Sequence, residues 1–247
     1  TFCAGQRVVL RFGSVTHTAK VWLNGQLIAQ HKGGFTPFEA DVTALLQPGE
    51  TALLTVACDN RVNHSTLPVG NEDGQLAFFG SDNAGIPSVE AAKRAAAPQN
   101  RPNFDFFNYA GIHRSVVLYT TPKEYIEDVT VVPAVDGTVQ YTVKTTGGAP
   151  VHVTVLDADG NAVAQAEGAA GTITIPEVHL WEPRPGTPYL YTLHITCGAD
   201  VYDQTFGVRS IEVKGTRVLL NGKPFYFKGF CKHEDFTAHG RGFDPVL

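Results

Sequence analysis

The sequence predicts an all-β chain: two β-sandwiches in series, with the opening strand of a third unit behind them. Three observations carry this. Gly 25 and Pro 15 in 247 residues, with Thr, Val and aromatic residues gathered in short runs, are the composition of strands broken by tight turns. The dipeptides Asn24-Gly25, Asp136-Gly137, Gly147-Gly148 and Asp159-Gly160 mark such turns between the runs. The helix-prone stretch over 88–97 lacks the apolar stripe that would let it pack as a core helix.

A chain of 247 residues with 43% hydrophobic content is long enough for two ordinary cores. Its formal charge of -5, with Lys and Arg scattered singly, leaves no footprint for nucleic acid or an acidic membrane surface. No apolar run approaches the ~20 residues of a membrane helix. Cys3, Cys58, Cys197 and Cys231 are widely spaced and form neither a metal pattern nor a disulfide framework. Methionine is absent and the sequence opens on Thr-Phe-Cys-Ala-Gly, so the natural N-terminus is expected to lie elsewhere. Asn63-His64-Ser65 fits a glycosylation sequon, a triplet too short to argue a compartment.

In chain order, Arg7–Phe12 is a short apolar strand and Ala19–Leu23 a second. Asn24-Gly25 accepts the positive φ angles of a type I′ turn, so Gln26–Gln30 returns as the partner strand. Trp22 offers a ring that could stack on a ligand, but its place within a strand favours core packing. Asp41 caps one short helical turn closed by Pro48-Gly49, and Thr51–Cys58 reads as a buried strand. Over 70–103 the periodicity fails, giving a long excursion that either shapes the entrance to a site or is disordered.

The excursion delivers the chain to Phe104-Asp105-Phe106-Phe107-Asn108-Tyr109-Ala110-Gly111-Ile112-His113-Arg114, where one carboxylate sits among four aromatic rings. Burying the rings is favourable, and a carboxylate among them is costly unless paired. Asp105 is therefore either a latch, held by Arg114 or backbone N–H groups, or the binding residue for a hydroxyl-bearing ligand. His113, in a strand-like Ile-His-Arg-Ser-Val-Val-Leu-Tyr run, is expected to be solvated or hydrogen-bonded rather than functional.

Beyond Pro122 roughly seven alternating runs follow, among them Tyr125–Val132, Val139–Val143 and Val151–Val155, which suggests an immunoglobulin-like sandwich. Trp181 and the tyrosines at 189 and 191 are expected in packing. From Lys214 the run Val218–Phe230 reads as a hairpin, and the polar cluster after it, Cys231-Lys-His-Glu-Asp235, is what a loop at the top of a TIM-barrel strand looks like.

Asp-Phe-Phe-Asn-Tyr-Ala-Gly-Ile-His-Arg-Ser-Val, followed by Leu-Tyr-Thr-Thr-Pro, resembles the end of the sugar-binding domain of β-glucuronidases in glycoside hydrolase family 2. Val21–Gly25 with Gly33–Phe38, His179–Pro183, and Gly229-Phe230 with Lys232–Asp235 and Gly240–Asp244 are similar to the same enzymes. The looser spacing around Asp105 is shared with β-galactosidases and β-mannosidases. The resemblance implies three parts: residues 1–122, a jelly-roll sugar-binding sandwich lacking its N-terminal part; 123–213, an immunoglobulin-like sandwich; and 214–247, the first strand region of a (β/α)8 barrel.

It also implies that Asp105 reaches the sugar. His233 and Asp235 share one face of a strand and would either hold sugar hydroxyls or brace the barrel mouth, while Glu234 points the other way and is expected to brace. Glycoside hydrolysis normally uses two carboxylates, and no cofactor is expected here. The family's catalytic glutamates and its lysine-bearing carboxylate-recognition motif belong to later barrel strands. The resemblance therefore implies a retaining enzyme acting on β-glucuronides, homo-oligomeric at full length, of which this stretch alone is inactive. The rivals are a portion of a related β-galactosidase or β-mannosidase, or a free-standing carbohydrate-binding sandwich.

Overall fold

The structure is a computed structural model that describes residues 4–70, 100, 107–232 and 246. These fall into two compact units, one within Thr1–Thr120 and Cys231–Leu247 and one at Thr121–Phe230.

The first unit is built from β1 (Arg7–Phe12), β2 (Val15–Thr16), β3 (Thr18–Leu23), β4 (Gln26–Lys32), β5 (Phe38–Asp41), β6 (Leu54–Asp59), β7 (Gly111–Ile112) and β8 (Val116–Thr121). The period-two alternation of the strands sorts them into layers. Val8, Leu10 and Phe12 on β1, and Ala19, Val21 and Leu23 on β3, are buried and meet Val15 and Val42 in one core. β1 lies between β5 and β8 in one sheet, β3 lies between β4 and β6 in another, and the short pair β2–β7 stands apart from both.

The Asn24-Gly25 turn forms as its chemistry requires, with φ of 49° and 81°, and leaves Leu23 opposite Gln26. The Asn24 side chain also accepts the Leu53 N–H at 2.8 Å, which helps set β6 beside β3. Asp41 accepts from the Thr43 N–H at 3.0 Å and from its hydroxyl at 2.6 Å, ahead of a single 3-10 turn at Thr43–Leu45.

Two expectations for this unit need correction. Trp22 is not in the core: with Val21 and Leu23 turned inward, alternation turns Trp22 to the opposite face, where it is half-buried in register with Leu27 and Thr55. The stretch ending at Cys58 is a strand but not a buried one. Among the described residues β6 pairs with β3 along one side only, and Leu53 and Leu54 are exposed.

The second unit has the seven strands the alternation predicts: β9 (Ile126–Pro133), β10 (Thr138–Thr145), β11 (Val151–Leu156), β12 (Ala162–Glu167), β13 (Ala170–Thr174), β14 (Tyr191–Cys197) and β15 (Asp200–Phe206). They form sheets of order β13-β10-β9 and β12-β11-β14-β15. Val139, Tyr141 and Val143 from one sheet pack with Val151, Val153, Val155, Leu193 and Ile195 from the other. Tyr191 is buried in the same core, and its hydroxyl accepts the His179 N–H at 2.9 Å, so the one polar atom of the ring is satisfied. Trp181 is half-buried, with the Arg209 guanidinium 4.9 Å above its ring.

A hairpin of β16 (Ile211–Lys214), β17 (Arg217–Leu220) and β18 (Lys223–Pro224) closes this unit. Asn221 and Gly222, at φ of 51° and 73°, make its second turn, and Asn221 donates to the Trp181 carbonyl at 3.0 Å. The return strand stops at Pro224 instead of running to Phe230. Pro224 has no N–H to donate, and Tyr226, Phe227 and Phe230 are exposed. The excursion's interior (71–99), its helix-prone stretch and Cys3 lie outside the described residues.

Candidate functional site

The first unit contains a strip of four consecutive buried residues, Ser14-Val15-Thr16-His17, three of them polar. Burying hydroxyls and an imidazole is unfavourable unless each finds a partner, so the hydrogen bonds of this strip show what it holds.

The first thing held is the glycine loop. The Ser14 hydroxyl donates to the Gly34 carbonyl, the Gly33 N–H donates to the His17 carbonyl at 3.0 Å, and Arg114 donates to the Phe35 carbonyl at 3.0 Å. Gly33 adopts φ of 139°, and a Cβ on Gly34 would lie 3.0 Å from His17 Nδ1 and 3.2 Å from Thr16 Cα. Both glycines are thus required by local geometry.

The second is the segment after the predicted site acid. β2 pairs with β7, setting Val15 opposite Ile112 and Thr16 opposite Gly111. His113 is hydrogen-bonded, as its context implies: Thr16 Oγ1 lies 2.9 Å from its Nδ1 and Ser14 Oγ 3.1 Å from its Nε2. His17 Nε2 lies 2.8 Å from Asn108 Oδ1. Asn108 Nδ2 in turn donates to the carbonyls of Asn60 at 3.1 Å and Asn100 at 3.2 Å. With two carbonyls facing Nδ2, the amide can face only one way, so the hydrogen between the two side chains belongs to His17 Nε2.

Rings close the arrangement. His17 lies 6.4 Å from both Phe35 and Tyr109, and Tyr109 meets His113 edge-on at 5.4 Å. Burial pushes the His17 imidazole below its ordinary value, against the opposing effects of the Asn108 hydrogen bond and the Asp59 carboxylate. Asp59 is itself held down at about 2 by hydrogen bonds from Arg61. His17 is therefore the neutral Nε2–H tautomer.

This dictates a pH dependence. With a folded value below the ordinary 6.5, His17 takes up a proton more readily in the unfolded chain. The stability it contributes is full above that value and is lost as pH falls through the folded value. Asp59, depressed from 3.8, gives way only as pH falls toward about 2, well below that window. In a Trp181→Phe background, urea midpoints followed by Trp22 fluorescence are expected to drop as pH is lowered from neutrality, and His17→Gln is expected to flatten that drop. An unchanged slope in the variant would assign the effect to other groups.

Of the residues expected to form the site, Asp105, His233 and Asp235 lie outside the described residues, as does Glu234. What is described is the anchoring of Asn108, three residues after Asp105 in the chain. Sequence reasoning missed His17, Ser14 and Thr16. The signal available was a run of polar residues between two apolar strands, with no Gly, Pro, Asn or Asp after Gly13 to make it a turn.

Among solved structures, the chain is 95% identical to a Faecalibacterium prausnitzii β-glucuronidase, with a TM-score of 0.92, covering 99% of this chain and 41% of that one. It is 48% identical to a Bifidobacterium dentium β-glucuronidase complexed with coumarin-3-O-glucuronide, with a TM-score of 0.87, covering 99% of this chain and 43% of that one. Among curated proteins, the β-glucuronidase of Felis catus is 41% identical over 98% of this chain and 38% of its own length. The chain thus spans about two fifths of the length of these relatives. Three family profiles match in succession: the sugar binding domain of glycosyl hydrolases family 2 over residues 2–122, the glycosyl hydrolases family 2 profile over 120–209, and that family's TIM barrel domain over 211–247. The sandwich that carries the buried strip, the seven-stranded sandwich after it and the final stretch are consecutive parts of one architecture, and the chain belongs to glycosyl hydrolases family 2.

Proposed function

We propose that these residues are the non-catalytic amino-terminal portion of a retaining β-glucuronidase, an enzyme that hydrolyses β-D-glucuronides. The observation that carries this is 95% identity over 99% of the chain to a β-glucuronidase. The parts divide at 1–122 for sugar binding, 123–213 for the immunoglobulin-like sandwich and 214–247 for the start of the barrel. Asp105, His233 and Asp235 contact the sugar, and the full-length protein is a homo-oligomer.

A retaining glycosidase sets two carboxylates ~5–5.5 Å apart across the scissile bond, one as nucleophile and one as acid/base. Neither belongs to these residues; later barrel strands supply both glutamates, and the present chain supplies the scaffold and sugar contacts. The isolated 247-residue chain is therefore expected to release no aryl alcohol from an aryl β-glucuronide above a buffer blank, while the full-length enzyme turns it over with retention at the anomeric carbon. Turnover by the isolated chain, or a full-length enzyme that prefers the β-galactoside, would overturn the assignment.

A further inference from the structure

We propose that the outer face of the β4-β3-β6 sheet is a platform for uronate-bearing glycans: the Trp22 indole stacks against a pyranose ring and the Lys20 ammonium pairs with the uronate carboxylate. The platform is built from three strands of the first unit alone.

The position of Trp22 is the first reason. β3 is the central strand of its sheet and turns Val21 and Leu23 into the core, so Trp22 and Lys20 share the opposite face. There Trp22 stands in register with Leu27 on β4 and Thr55 on β6, and Lys20 with Gln30 and Ala57. Burying an indole is strongly favourable, yet this one keeps part of its ring in solvent beside an exposed Leu27. On the β6 side the residues in register, Thr55 and Ala57, are too small to cover it.

Its polar neighbours are also unengaged. Among the described residues, the side chains of Trp22, Lys20, Gln30 and Thr55 have no hydrogen bond, ion pair or ring partner. Trp181 is the contrast, because the Arg209 guanidinium already lies 4.9 Å above its ring. An open indole flanked by an ammonium, an amide and a hydroxyl offers an apolar surface to the C–H face of a pyranose and hydrogen bonds to the hydroxyls at its edge. Lys20 and Trp22 are about 7 Å apart along the strand, so a ring lying on the indole brings its carboxylate within reach of the flexible lysine.

Charge selects the acidic class of sugar. Lys20 and Lys32 both lie on this face, while Asp59, in register with Thr18, is held by Arg61 at 2.5 Å. The two lysines therefore remain as surplus positive charge on a chain of formal charge -5, which favours an anionic ligand. Two lysines are too few to track a phosphate backbone, whereas one cation beside one ring matches a single acidic sugar residue.

The test is calorimetric titration of the full-length enzyme with tetragalacturonate, an acidic oligosaccharide that is not a β-glucuronide, and with the same tetramer after its carboxyl groups are reduced. We expect saturable binding of the acidic tetramer with a Kd of about 1 mM or below, weakening as salt is raised. Trp22→Ala is expected to weaken that binding at least about tenfold, and Lys20→Gln about threefold, to the level of the neutral tetramer. Both variants are expected to keep kcat/KM for an aryl β-glucuronide within about twofold of wild type, which shows that they fold. Absence of binding, equal binding of the neutral tetramer by the wild-type enzyme, or binding indifferent to both substitutions overturns the proposal. If Trp22→Ala does not fold, Lys20→Gln decides alone: Lys20 is exposed, and acidic binding that survives its loss unchanged overturns the proposal.

Discussion

Leu193→Ala is expected to destabilise the second unit by about 3–4 kcal/mol, enough to shift its folded-to-unfolded ratio by more than a hundredfold. Leu193 is fully buried on β14, a central strand of its sheet, in register with Val155 on β11 and Gln204 on β15. Its neighbours in the core include Val153, Val155 and Ile195, residues that are stiff at χ1 and poorly able to move into a vacated volume. The lost transfer energy and the residual cavity therefore add rather than cancel.

The two tryptophans make this measurable, since Trp22 lies in the first unit and Trp181 in the second. In a Trp22→Phe background, urea unfolding of the 247-residue chain followed by Trp181 fluorescence reports the second unit. The variant's midpoint is expected to fall with the slope unchanged. A loss below about 1 kcal/mol would mean that the sandwich collapses onto the smaller side chain, contrary to the packing of its strands.

What the sequence made legible was what local chemistry decides. Asn24-Gly25 and Asn221-Gly222 occupy the positive-φ turns their residue types favour, and both hairpins follow from them. Strands of the second unit such as β10, β11 and β14 were legible because they alternate with a period of two, as a strand with one buried face must. What failed depended on the order of strands in space. Thr51–Cys58 is apolar enough for a buried strand, but its sequence does not say that, among the described residues, β6 pairs on one side only. Trp22 looked like a core residue from its place within a strand, whereas its phase between Val21 and Leu23 puts it outside. The 14–17 strip and its bond to Asn108 were illegible for a stronger reason. No periodicity or turn rule links positions 91 residues apart, and only the folded sandwich brings them within 2.8 Å. The candidate acid lies outside the described residues and rests on the sequence alone, where a lone carboxylate among four rings demands a partner wherever it lies.

That demand sets the other large effect. Asp105→Ala in the full-length enzyme is expected to lower kcat/KM for an aryl β-glucuronide by at least about a hundredfold, because a sugar hydroxyl buried against the missing carboxylate is left without a partner. Hydrogen bonds to an ionised acceptor are roughly twice as strong as neutral ones, so Asp105→Asn, which keeps an acceptor and loses the charge, is expected to fall between Asp105→Ala and wild type. The latch alternative makes the opposite division. If Asp105 served to pair with Arg114 or with backbone N–H groups, Asp105→Ala would lower the unfolding midpoint and leave kcat/KM nearly intact. Arg114 already donates to the Phe35 carbonyl at 3.0 Å and stands exposed, so one of its donors is engaged with the glycine loop and solvent competes for the rest. Measuring midpoint and kcat/KM on the same preparations separates the two roles: a stable enzyme that grips its sugar poorly marks the binding residue, and a weakened scaffold with normal turnover marks the latch.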